Sequence, residues 1–258
     1  MKDKSFLVNN NINVDASLEL LGDMETYNDI ITEFTNNFDE KMGLIKTHYE
    51  NHDMPNYAIQ VHSLKSDARY IGMTELADKA YEHELKSKEN DEGFVSSDYD
   101  NLVQIANKYN GIAKEYLGLA SQAVESQSQA EAPEASILIA DDSSIIRSIG
   151  EKMLSGKFKV LHAADGEEAI KVTDENVETL HGLLLDLNMP NVDGFQVLEH
   201  FKTNNLFGKI PVVIITGDDS KETIMKAFDY PIVDVLAKPF NENDVNRVLT
   251  SMSIKRVG

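Results

Sequence analysis

Apolar, β-prone runs in the second half of this chain stop one after another at acidic or lysine side chains, and that repetition constrains the fold more than any other feature. Ser136-Ile137-Leu138-Ile139-Ala140 runs into Asp141-Asp142, Gly182-Leu183-Leu184-Leu185 into Asp186, and residues 233–237 into Lys238-Pro239. A further run, 210–215, ends at Thr216-Gly217. Such near-continuous apolar runs suit strands buried on both faces. Amphipathic stretches of helical length lie between them, at 144–154, 167–173, 194–201 and 221–228. Strand and helix alternate about five times, which predicts an α/β, doubly wound, five-stranded parallel sheet covered by helices on both faces.

Open sheets of this kind place their ligands outside the carboxyl ends of the strands. Asp141, Asp142, Asp186 and Lys238 therefore converge at one edge. Clustered carboxylates repel one another and call for a hard cation such as Mg²⁺, held by oxygen ligands and several waters. In that setting Asp186 is an oxygen nucleophile able to accept a phosphoryl group as an acyl phosphate. Lys238 would neutralise phosphoryl oxygens, and the Thr216 hydroxyl could donate to one of them.

The set Asp141-Asp142-Ser143, Arg147, Asp186-Leu187-Asn188-Met189-Pro190, Asp193-Gly194, Thr216-Gly217 and Lys238-Pro239-Phe240, taken in order and spacing, resembles the receiver domain of two-component response regulators (flavodoxin-like) over residues 136–258. The resemblance implies that Asp186 is the phosphoacceptor and Asp142 a direct metal ligand. It further implies that Asp141 acts largely through water, while the backbone carbonyl of Asn188 completes the protein ligands. Asn188 and Asp218 would flank the path of the water that hydrolyses the acyl phosphate; both are small and polar, so a short-lived phosphoaspartate is expected. One position departs from the pattern. Receivers usually carry Tyr or Phe three residues before the lysine, and this chain has Val235.

The first half reads as an all-α helical bundle. Ile30, Ile31, Phe34, Phe38, Met42 and Ile45 mark one helix, and Tyr57, Val61, Leu64, Ala68 and Ile71 a second, opened by Pro55 in its first turn. Leu76, Ala80 and Leu85 mark a third, and Leu102, Ile105, Ala106, Tyr109, Ile112, Ala113 and Tyr116 a fourth. His62 lies outside the apolar stripe of the second helix. At about 100° per residue, Lys65, Ser66 and Arg69 project within roughly 60° of it. This predicts an exposed imidazole flanked by two cations and a small residue, suited to accept a phosphoryl group and to dock a partner. The stretch His62-Ser63-Leu64-Lys65-Ser66-Asp67-Ala68-Arg69-Tyr70-Ile71-Gly72 resembles the signature of histidine phosphotransfer domains, with Ser66 in place of the usual glycine. The other six histidines show no metal-ligand spacing and are expected at surface or partly buried positions.

Two domains follow, 1–120 helical and 136–258 receiver-like, joined by a linker at 121–135 whose Ser, Gln, Ala and Glu content is too polar for a core. A net charge of −20 argues against nucleic acid as a partner. The absence of cysteine is compatible with a reducing cytoplasm, and no stretch is long and apolar enough for a membrane span. No signal-peptide core and no DNA-binding motif are seen. The expected function is phosphorelay signal transduction in the cytoplasm, with Mg²⁺-dependent transfer between Asp186 and His62. Sensor or hybrid histidine kinases, or other receiver proteins, are the expected partners. With no glycine-rich ATP loop, the chain is not expected to be a histidine kinase. Two alternatives stay open: a phosphorylation-gated interaction protein without DNA-binding output, and a Mg²⁺-dependent phosphohydrolase. The latter is disfavoured because Ser143 stands where an Asp-x-Asp motif would need its second aspartate.

Overall fold

The structure, a computed structural model, describes residues 1–119, 135–217 and 221–257. The expected linker, apart from Ala135, and the candidate Asp218 lie outside the described residues. The chain divides into two compact units, Met1–Ser128 and Gln129–Gly258.

The first unit is helical: α1 (Lys4–Asn9), α2 (Val14–Leu21), α3 (Met24–Glu50), α4 (Met54–Ile71), α5 (Thr74–Lys88) and α6 (Glu92–Leu117). The four longer helices match the four apolar stripes. Their starts follow from side chains that accept from otherwise unsatisfied amides of the first turn: Asp23 from Thr26 N–H, Asp53 from Asn56 N–H, Asp91 from Phe94 N–H. The same device opens α1 at Asp3 and α2 at Asn13, two short helices that the stripes did not reveal. α4 is the central element, packed by α2, α3 and α5. The Tyr27 hydroxyl donates to the Ile71 carbonyl at 3.0 Å, tying α3 to the last turn of α4 in a buried setting.

Gly72 ends α4 at φ +81°, a left-handed conformation that glycine adopts without a Cβ penalty. A Cβ there would lie 2.4 Å from the Asn13 carbonyl oxygen. The close approach lets Asn13 N–H donate to the Gly72 carbonyl at 2.9 Å, seating the start of α2 on the end of α4. Of the third stripe, Leu76 and Ala80 are buried but Leu85 is exposed.

The second unit alternates strand and helix: β1 (Ser136–Ala140), α7 (Ser144–Leu154), β2 (Lys159–Ala163), α8 (Gly166–Glu175), β3 (Leu180–Asp186), α9 (Gly194–Thr203), a 3₁₀ turn (Leu206–Gly208), β4 (Val212–Thr216), α10 (Lys221–Ala227), β5 (Asp234–Ala237) and α11 (Glu242–Val257). The five strands are parallel in the order β2-β1-β3-β4-β5. β1 and β4 are buried throughout and β3 nearly so, as their unbroken apolar runs require. β2 escaped notice in the sequence because it is a half-exposed edge strand carrying Lys159 and His162 among its apolar residues. On one side of the sheet a core of Leu138, Leu183, Leu185, Val197, Phe201, Val212 and Ile214 excludes water, and Val235 packs against it half-buried.

Candidate functional site

β1 and β3 are neighbours in register, Ala140 opposite Leu185, so Asp141 and Asp186 emerge side by side where the two strands end. Both are fully buried. Each carboxylate is fixed by the chain just beyond it: Ser143 N–H donates to Asp141 Oδ1 at 3.0 Å, and Asn188 N–H to Asp186 Oδ1 at 3.1 Å. Ser143 in turn caps α7 through Ile146 N–H, and an Arg147 guanidinium N–H donates to the Asp141 carbonyl. Gly194 opens α9 hard against the Asp186 peptide, where a Cβ would sit 2.3 Å from the Asp186 carbonyl oxygen. Glycine there is a packing requirement of the site.

Lys238 follows β5 through a cis peptide to Pro239, and its N–H donates to the Thr216 carbonyl at 2.8 Å. Its Nζ stands 2.5 Å from Asp186 Oδ2 and 2.7 Å from Asp141 Oδ2. Burial alone would lower this ammonium's pKa; Asp141 and Asp186 outweigh that and hold it above the ordinary lysine value. Burial, reinforced by the charges of Asp186 and Asp142 against the pull of Lys238, pushes Asp141 up to about 7. The Lys238 ammonium is thus shared between Asp141 and Asp186. Asp141, Asp142 and Asp186 each offer an oxygen within 4.8 Å of the others. An all-oxygen cluster of three carboxylates at a strand edge fits a hard divalent cation. Thr216 is buried one residue past the β4 partner of Asp186, and the Asn188 amide nitrogen Nδ2 is buried without a hydrogen-bond partner among the described residues.

A model of the response regulator receiver domain matches residues 137–250. The two-component response regulator ORR3 of Oryza sativa subsp. indica is 31% identical over 126 residues, which are 48% of this chain and 94% of that protein. The chain belongs to the response regulator receiver family. Chemotaxis protein CheY1 of Helicobacter pylori strain J99 is 34% identical over 106 residues, 40% of this chain and 85% of the relative. Among solved structures, the match to the chemotaxis protein CheY4 of Vibrio cholerae covers 46% of this chain and 98% of that chain, at 26% identity and a TM-score of 0.42. The geometry brings Asp141, Asp142, Asp186 and Lys238 together, where the strand-end pattern placed them.

In the helical unit His62, Lys65 and Ser66 do share one face of α4, but the expected exposure is wrong. All three are buried, with His62 at 1% relative exposure. The helical wheel placed His62 opposite the apolar stripe, which points it to water only if one side of α4 is covered. In fact α5 packs along the other side. Glu84 of α5, absent from the sequence reading, accepts from His62 Nδ1 at 2.7 Å and from Lys65 Nζ at 2.6 Å. Lys88 adds a third contact to the same carboxylate at 2.7 Å. Burial would raise the Glu84 carboxyl, yet His62 and Lys65 hold it well below the ordinary range. Burial lowers the Lys65 ammonium against the pull of Glu84. The imidazole therefore faces a carboxylate as well as a cation, and its Nε2 is buried without a hydrogen-bond partner among the described residues. Arg69 is half-buried, 5.8 Å from the Tyr81 ring centroid. His83, expected at a surface or partly buried position, is also fully buried.

Proposed function

We propose that this chain is a phosphorelay protein in which a helical phosphotransfer unit over 1–120 is joined by a 121–135 linker to a receiver over 136–258. Asp186 is the phosphoacceptor of the receiver. Asp141, Asp142 and Asp186, with the Asn188 backbone carbonyl, would hold a Mg²⁺ ion, which when bound supplies positive charge to the phosphoryl oxygens. Lys238 already faces Asp186 and supplies a second positive charge. Thr216 donates its hydroxyl to the phosphoryl group, and Asn188 and Asp218 line the approach of hydrolytic water.

His62 exchanges the group with aspartyl phosphate. The Nε2 lone pair forms the P–N bond as the P–O bond to the carboxylate breaks, and the electron pair leaves on the carboxylate. The observation that carries this reading is the pairing of Nδ1 with Glu84. An ionised carboxylate can only accept, so Nδ1 keeps the proton and the free lone pair lies on Nε2. Glu84 also faces the positive charge that the ring acquires on phosphorylation. Lys65 and Arg69 support transfer electrostatically, and Ser66 keeps the face small. Partners are a sensor or hybrid histidine kinase, or other receivers, in the cytoplasm.

The test is transfer of labelled phosphate from a hybrid kinase to wild type, His62→Gln and Asp186→Asn. Wild type should yield both a base-stable, acid-labile species and an acid-stable, base-labile one. His62→Gln should lose the first and Asp186→Asn the second; a base-stable species persisting in His62→Gln removes His62 from the relay.

The burial of Nε2 favours a second reading, in which the receiver gates an interaction surface and His62 carries no phosphate. Under it, His62→Gln accepts phosphate at Asp186 and keeps full signalling output in cells.

A further inference from the structure

One turn and a half before His62, a second buried histidine system joins three helices. Tyr57 of α4 and His83 of α5 are each 0% exposed, and the Tyr57 hydroxyl lies 2.7 Å from His83 Nδ1. His83 Nε2 lies 3.1 Å from Asp98 Oδ2 of α6. The Phe94 ring, also on α6, meets the imidazole edge-on at 5.5 Å between centroids. The other charged groups that act on His83 among the described residues, Lys79 and Glu82, are on α5 itself: Lys79 contacts Asp98 Oδ2 at 2.8 Å and Glu82 at 2.6 Å. Tyr99 of α6 and Tyr49 of α3 also act electrostatically on Tyr57.

The hydrogen-bonding roles are determined by chemistry. Asp98 sits with a lowered pKa: burial would raise it, and the hydrogen bond from Lys79 leads the contacts that outweigh burial. It is ionised and can only accept, so Nε2 carries the proton. Nδ1 is then a lone-pair acceptor, and the Tyr57 phenol, raised by burial, remains a donor to it. Every polar atom of the neutral ring is satisfied. A second proton on the ring would set two donors against each other at 2.7 Å, and the Tyr57 hydroxyl would have to turn its hydrogen into the apolar interior.

We propose that Tyr57, His83 and Asp98 form an acid-sensitive latch that closes α5 onto α4 and α6, so that mild acidification loosens the helical unit. The latch closes the same α4–α5 seam in which His62 is buried, yet it does not depend on His62 carrying phosphate.

Burial lowers His83 below its ordinary 6.5, against the opposing pull of Asp98. The sign follows. Below pH 6.5 the unfolded chain binds a proton that the folded one refuses, so stability falls as pH drops through 6.5 toward the folded pKa. The loss between pH 7.5 and 5.5 has about tenfold as its ceiling, reached when the folded ring takes up no proton in that range.

The test is hydrogen exchange of the full chain at pH 7.5 and 5.5, corrected for intrinsic exchange and read on the slowest amides of 54–71 and 74–88. In wild type these should lose protection severalfold, with about tenfold as the ceiling, and in His83→Gln, which has no titrating ring, less than half of that in logarithmic terms. A wild-type loss under threefold, or an equal loss in the variant, overturns the latch. Should His83→Gln fail to fold, the imidazole ¹⁵N shifts of the wild type decide. An unprotonated Nδ1 at both pH values supports the proposal, whereas a protonated Nδ1 at either overturns it.

Discussion

Lys238 is the residue on which the receiver pocket turns, because its single ammonium is shared by two fully buried carboxylates. Removing one partner of a buried ion pair leaves an uncompensated charge and costs about 3–5 kcal/mol. Lys238→Met should therefore destabilise the receiver by roughly that amount in urea unfolding. Asp141→Asn added to Lys238→Met should recover part of the loss; an unchanged midpoint in the single variant would mean the pairing contributes nothing to stability. These pocket residues were legible in the sequence because each ends a strand, and parallel strands bring their ends together whatever the loops do. Glu84 was not legible. It lies 22 positions from His62 on another helix, and nothing in local spacing reports which face of α5 turns toward α4. His62 itself was placed on the correct face, but its burial depends on how many helices surround α4, which a single wheel does not encode.

The four longer helices of the first unit were legible as elements from their apolar stripes, α1 and α2 were not, and neither was the seating of any of them. Gly72 illustrates the gap. In sequence it closes the His62–Gly72 signature, while in the fold it ends α4 and its missing Cβ admits the Asn13 carbonyl. Gly72→Ala must adopt φ +81° and push back the start of α2, so a loss of roughly 2 kcal/mol or more is expected, beyond the ~1 kcal/mol of the left-handed conformation itself. Thermal melting of the variant checks it. The α4–α5 seam also predicts an acid limb distinct from that of His83. Glu84 has a folded pKa held below its ordinary 4.5, so it contributes stability that is present above that value and lost as pH falls below it. Unfolding measured from pH 5 to 3 should show a loss in wild type that is smaller in Glu84→Gln. If the two proteins lose stability in parallel, another carboxylate governs the acid limb.

For the molecule as a whole, composition was the weakest guide. A net charge of −20 fits both halves without distinguishing them. Among the described residues no helix is long and apolar enough to cross a membrane. The metal reading makes a prediction at this scale: acetyl phosphate should label Asp186 in the intact chain with Mg²⁺ present, and excess chelator should abolish the labelling while leaving circular dichroism unchanged. Equal labelling with and without chelator removes the metal from the reaction. Under the relay proposed above, the buried Nε2 of His62 has a kinetic consequence as well. A nucleophile enclosed in its resting state reacts at its intrinsic rate multiplied by the fraction of molecules in which it is open. Each tenfold drop in that fraction slows transfer tenfold with the chemistry untouched, so a protein that prefers the open form would accelerate phosphotransfer by occupancy alone.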